Sequence, residues 1–277
     1  MTTSPHAPEK PTARPFAIHH VERVMGTVVT MDVYTQDGTS SSEVSMCLAR
    51  ARAILHRADG VFSTWKPNSP ISRLRRGDIT CEMAPQAVTD VLKSCRTARE
   101  ISGGWFDPWA MPGGVDPTGY VKGWAAQKAL AALVSSEISG AMVNAAGDIA
   151  SHGGPTSTEH FRIGVVDPLS PSRLACVVEL AGAIATSGTY ERGAHLIDPR
   201  SKRPGTRLAS ASVTGPDLGL ADALATALVV AGESGLEWVE PLEGYEALVF
   251  GFDGSSRRTD AFPIVLQGPT GFKLKTR

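Results

Sequence analysis

The chain has 277 residues, 42% of them hydrophobic and 20% charged, with a formal net charge of −1. This is a globular composition, with apolar residues enough for a substantial core. So small a charge creates no overall field that would draw the chain to nucleic acid or an anionic membrane surface, and no apolar run approaches the ~20 residues of a membrane span.

The first residues are rich in Pro, Thr and Ser and lack the apolar centre of a secretory leader. They are expected to form a disordered tail over 1–16, ahead of a single domain over 17–277, in a cytoplasmic protein. The four cysteines, Cys47, Cys81, Cys95 and Cys176, show neither CxxC spacing nor a histidine at zinc spacing. Reduced, mostly buried thiols are expected.

Val28, Thr30, Asp32 and Tyr34 alternate with Val29, Met31 and Val33, so residues 21–34 read as a strand with one apolar face. Val44, Cys47, Leu48, Ala51 and Leu55 recur at helical spacing and predict a helix from Ser42 or Glu43 to about His56. Arg73, Arg75 and Arg76 form a basic patch that reads as phosphate contacts or as a solvated loop. Pro85 opens a second helix, carrying Val88, Val91, Leu92, Cys95 and Ala98 on one face and ended by Gly103-Gly104. Residues 112–119 are turn-rich, and a third helix follows over about 121–133. A short strand over 141–143 ends at Asn144. Residues 161–166 and 175–180 read as a strand pair and 209–214 as another strand. A helix over 218–231 stops at Gly232, and 247–252 is a late strand. Strands and helices are interspersed without a regular βαβ period, which predicts a mixed α+β fold.

Five clusters carry possible chemistry, and each has a plain structural alternative. Gly103-Gly104-Trp105-Phe106-Asp107-Pro108 could bring backbone and aromatic rings against a planar ligand, or could be a helix stop followed by core aromatics. Residues 116–123 place a glycine turn before a helix, where free N–H groups meet anions. Lys122 in the first turn there would want an anionic partner. Neither a Walker A spacing nor GxGxxG after a strand occurs. Residues 144–148 are a polar cluster and equally a turn. Residues 186–192, followed by His195 and Asp198, gather hydroxyls, arginine and histidine. Asp222 and Thr226 lie four apart on one helix face, where they could hold an oxygen-seeking cation or form a capping or solvent-facing pair.

Taken in order, these segments resemble the ApbE-type family of FAD:protein FMN transferases. The likeness runs from about Val24 to Gly232. It includes Met25-Gly26-Thr27, Phe62-Ser63-Thr64-Trp65, residues 69–74, 104–108, 116–123 and 144–148, Thr186-Ser187-Gly188, residues 195–199 and residues 222–226. The resemblance implies a mixed fold of mainly antiparallel sheets with packed helices, T-fold-like, with the active site in a cleft. It implies FAD contacts at Met25, Trp65, Trp105, Phe106, Asp107, Asp116, Lys122 and Ile197. Magnesium would be held by Asp222 and Thr226, with Ala225 close by and Gly119 offering its carbonyl. His195, with Lys122 assisting, would serve the transfer of FMN from FAD to a Thr or Ser hydroxyl of an acceptor protein, releasing AMP.

Three departures stand out. The family usually has tens of residues between its Phe-Asp-Pro and Asp-x-x-Gly-x-x-Lys-Gly segments, whereas Asp116 follows Pro108 almost directly here. Arg75 stands where an asparagine often ends the arginine-containing loop, and Ser201-Lys202 replaces the usual Thr-Gly. With a cover missing, water could replace the acceptor, giving an FAD pyrophosphatase; a non-catalytic FAD-binding protein is the third reading. Asp148 and Asp198 are alternative bases to His195.

Overall fold

In the computed structural model, which describes residues 16–35, 41–156, 158–189, 196–268 and 273–274, the alternating run near the N-terminus is two strands and not one. The expected tail, Phe16 excepted, lies outside the described residues. β1 (Phe16–Val24) and β2 (Thr27–Thr35) pair antiparallel around a two-residue turn, Met25-Gly26. Both turn residues have positive φ, 55° and 69°, which matches the twist of a tight hairpin. β3 (Ile138–Ala145) and β4 (Asp148–Gly153) repeat the device around Ala146-Gly147, with φ of 52° and 93°. The first reversal is hidden in the sequence because an apolar methionine at the turn looks like one more strand residue.

The other strands are β5 (Phe161–Val166), β6 (Leu174–Leu180), β7 (Ala183–Gly188), β8 (Ile197–Asp198) and β9 (Arg203–Pro204). β10 (Ser210–Gly215), β11 (Glu246–Phe250), β12 (Ser255–Arg258), β13 (Ile264–Gln267) and β14 (Lys273–Leu274) follow. A nine-stranded sheet has the order β1-β2-β3-β4-β7-β10-β11-β12-β14, a three-stranded sheet the order β13-β6-β5, and β8 and β9 form a small ribbon. All the pairs are antiparallel except β12 with β14.

The central strands of the large sheet, β7, β10 and β11, are largely buried on both faces, and strand alternation sorts their residues between two cores. In β11, Ala247 and Val249 belong to the core shared with the helices, while Leu248 and Phe250 belong to the core under the small sheet. β7 divides likewise, Ala183 and Ala185 to one side and Ile184 to the other. The molecule is therefore layered: helices, large sheet, small sheet.

The helix layer contains α1 (Ser41–Phe62), α2 (Pro70–Arg76), α3 (Gln86–Ile101), α4 (Thr118–Leu133) and α5 (Leu218–Ala231). α1 runs past His56 because Ala58 and Phe62 continue its buried face. The arginine patch lies on α2, with Arg75 and Arg76 paired to Asp116 and Asp78. α4 starts at Thr118, earlier than its apolar periodicity suggests, because Asp116 Oδ1 accepts the Thr118 N–H at 3.0 Å. α4 and α5 approach closely: a Cβ on Gly123 would lie 2.4 Å from the Leu218 carbonyl oxygen. All four cysteines are free, with Cys47, Cys95 and Cys176 buried and Cys81 partly exposed. Among the described residues, no helix is long and apolar enough to cross a membrane.

Candidate active site

The site forms where helix-facing sheet rows turn from apolar to polar. In β7 the row reads Ala183, Ala185, Ser187; in β4 it begins at Asp148 and continues to Ala150. Asp148 is fully buried, and a buried carboxylate requires a partner. Lys122 of α4 supplies it through an ion pair, and the same ammonium lies 3.7 Å from Asp222 Oδ2 on α5. The starting point of α4 moves Lys122 beyond the first turn, and its anionic partners are carboxylates of the chain itself.

Asp222 and Thr226 are one turn apart on α5. Thr226 Oγ1 is 3.2 Å from Ser187 Oγ, and Gly123 N–H points to Asp222 Oδ2 at 3.4 Å. A Cβ on Gly119 would come within 3.8 Å of Thr226 Oγ1 and 3.3 Å of the Phe106 ring, so Gly119 reaches the same spot. The Asp222 carboxylate and the Thr226 hydroxyl, with the Gly119 backbone beside them, are oxygen donors of the kind a hard cation takes. Among the described residues, no group of three or more His, Cys, Asp or Glu could hold a metal. A cation here would keep positions for phosphate oxygens and water, as magnesium commonly does. Ala225, expected beside the metal, has its side chain fully buried in the main core and does not line the cleft.

This spot opens into a cleft of about 530 Å³. Met25, Trp65, Trp105, Phe106, Asp107, Asp116, Gly119, Lys122, Ile197, Asp222 and Thr226 all line it. His195 lies outside the described residues. Trp65, at 93% exposure, stands at the mouth as an aromatic surface without cover. Trp105 and Phe106 satisfy both readings, since they are core residues that also present edges to the cleft. Arg200 stacks on Trp105 at 3.7 Å from the ring centre, a cation–π contact. Asp107 accepts from Arg99 Nε at 2.7 Å and from the Trp109 N–H at 2.9 Å, which fixes its carboxylate within the loop.

Sequence reasoning placed Ala146 in the 144–148 cluster and Arg75 in a basic patch of possible phosphate contacts, but gave neither a named role here. Ala146 shares the cleft with Met25, and an X-Gly pair between two alternating runs was the available signal. Arg75 meets Asp116, 41 positions further along the sequence, as a 3.1 Å ion pair, which local pattern does not reveal.

The model of the ApbE family matches residues 25–113 and 110–249. This chain belongs to the ApbE family. The two matched stretches meet in the short loop that joins Pro108 to Asp116. A FAD:protein FMN transferase of Rhodobacter capsulatus is 38% identical over 128 residues, covering 43% of this chain and 24% of that protein. Another, from Vibrio cholerae serotype O1, is 34% identical over 130 residues, covering 43% of this chain and 39% of its own length. The chain thus spans well under half the length of the curated relatives it matches. Among solved ApbE structures, the flavin transferase of Vibrio cholerae superposes with a TM-score of 0.76 at 20% identity, over 93% of this chain and 98% of that one. The ApbE protein of Thermotoga maritima gives 0.77 at 22% identity, over 89% and 98%. These likenesses establish the ApbE fold, mixed helix and antiparallel sheet.

Proposed function

We propose that this ApbE-family chain is a magnesium-dependent FAD:protein FMN transferase, moving FMN from FAD to a Thr or Ser hydroxyl of an acceptor protein in the cytoplasm and releasing AMP. The observation that carries the reading is the convergence of Asp222, Thr226 and Gly119 beside Lys122 in a cleft whose mouth bears the uncovered ring of Trp65. Rings and diphosphate are recognised by different groups, and FAD is the flavin that offers both.

In this reading Asp222, Thr226 and the Gly119 carbonyl would hold magnesium, and the ion would supply charge neutralisation at the phosphoryl oxygens. Lys122, fixed between Asp148 and Asp222, adds positive charge that needs no reorganisation during reaction. Met25, Trp65, Trp105, Phe106 and Ile197 hold the flavin and adenine parts, with Asp107 and Asp116 at the cleft wall. The acceptor oxygen attacks the phosphorus on the FMN side; its proton passes to His195. The bond from that phosphorus to the bridging oxygen breaks in line, and AMP leaves with the electron pair. His195 is preferred as base because its rivals are engaged. Asp148 is buried against Lys122, and Asp198 Oδ1 accepts the N–H groups of Arg200 and Ser201.

Asp222→Asn should lower magnesium-dependent AMP release by roughly a hundredfold or more while leaving the folded structure in place. Thr226→Val, nearly isosteric, should lower it less and raise the magnesium concentration required. Turnover close to wild type in Asp222→Asn would exclude the metal site.

A further inference from the structure

We infer that Arg75 is a positioning residue for this cleft, its guanidinium clasping the turn over 112–116 and thereby fixing the Asp116 carboxylate. The inference deepens the FAD reading and rests on it for the role of Asp116. Arg75 lies in the last turn of α2 and its side chain is 15% exposed. Nη2 donates to the Pro112 carbonyl at 2.9 Å, Nη1 donates to the Val115 carbonyl at 3.3 Å, and Nη1 lies 3.1 Å from Asp116 Oδ2. A planar fork of donors can serve three oxygens of one turn at once; an ammonium cannot do so in the same geometry.

The turn is shaped around this side chain. Gly113 and Gly114 have φ of 80° and 102°, and a Cβ on Gly113 would stand 2.8 Å from Arg75 Nη2. A Cβ on Gly114 would stand 3.3 Å from the Arg75 carbonyl oxygen. Asp116 uses its other oxygen to accept the first N–H of α4, the helix that carries Gly119 and Lys122. On the opposite side α2 is tied to the Trp65 segment, since Ser69 Oγ and Ser72 Oγ both donate to the Ser63 carbonyl, at 2.6 and 3.1 Å. One guanidinium therefore couples the Trp65 wall to the Asp116 wall. Arg75 does not itself line the cleft, so it acts through Asp116 and the turn.

The test uses the full chain with Arg75→Gln and Arg75→Lys. Amide exchange over residues 113–118 is followed without ligand, and FAD affinity by fluorescence titration. Arg75→Gln should speed exchange and weaken FAD each by about tenfold, the effect of losing a charged hydrogen bond worth roughly 1.4 kcal/mol. Arg75→Lys should fall between. Adding Asp116→Asn to Arg75→Gln should cause no further loss of affinity, because the two act as one unit. Unchanged exchange and affinity in Arg75→Gln would overturn the inference, as would simple additivity of the two substitutions. Failure of wild type to bind FAD would sink the FAD reading alone, and the exchange measurement would still decide the clasp. Were Arg75→Gln unable to fold, Arg75→Lys carries the same comparison, since it keeps the charge and loses the fork.

Discussion

Met25 and Ala146 hold left-handed backbone at two separate hairpins, and both line the cleft. That conformation costs an L-residue roughly 1–2 kcal/mol and is normally left to Gly, Asn or Asp. Met25 also packs against the main core, and in the FAD reading its side chain would serve a ligand as well. Met25→Asn should therefore weaken FAD binding, while the roughly 0.5–1 kcal/mol of backbone strain it relieves offsets the lost packing in urea unfolding. A variant that binds FAD as well as wild type would contradict this. At this scale the sequence was most readable where a polar residue interrupts an apolar helix: Asp222 and Thr226 stand out in the run from Leu218 to Ala231. It was least readable where meaning depends on a distant partner, as for Lys122 between Asp148 and Asp222 or Arg75 with Asp116.

Between elements, the site depends on how closely α4 and α5 approach. The Gly123 position allows contact with the backbone of Leu218, and Gly119 and Lys122 are carried to Asp222 and Thr226 by that contact. Gly123→Ala puts a methyl 2.4 Å from a backbone oxygen that cannot swing aside. It should destabilise the protein by about 1–3 kcal/mol and reduce AMP release beyond what lost stability explains; urea titration beside turnover of the folded fraction checks this. A second junction ties the edge strand to the helix layer. Glu22 of β1 meets His56 Nε2 at 2.9 Å and Arg52 Nε at 2.5 Å, both from α1, and His20 Nε2 at 3.2 Å. The hydrogen bond from His56, with those from Arg52 and His20, holds the Glu22 carboxyl well below its usual range, at about 2. A carboxyl depressed by folding adds stability that is complete above its unfolded pKa and fades as pH falls towards the folded value. The stability lost in Glu22→Gln should be full above about pH 4.5 and shrink towards pH 2, as urea unfolding across that range will show. A gap independent of pH would assign the effect to packing. Helices such as α3 and α5 were legible from periodicity and glycine stops. β4 and β7 were not, because their helix-facing rows end in the polar Asp148 and Ser187 that build the site.

Taken whole, the molecule is a helix layer on a large antiparallel sheet with a small sheet behind it. The mixed class was readable from interspersed strands and helices, but the two-core layering was not, since it depends on which face of each central strand meets which neighbour. The cleft sits on the helix side, where α4 and α5 meet the polar ends of β4 and β7. The short loop between Pro108 and Asp116 leaves the choice of nucleophile, acceptor hydroxyl or water, as the central question of the proposed chemistry. The decisive measurement is to incubate the chain with FAD, magnesium and proteins of its own source cell, then quantify AMP and the flavin fluorescence that survives denaturing electrophoresis. The account predicts AMP in step with covalent flavin on an acceptor band, both lost in Asp222→Asn. Intact FAD, or AMP without covalent flavin, would contradict it.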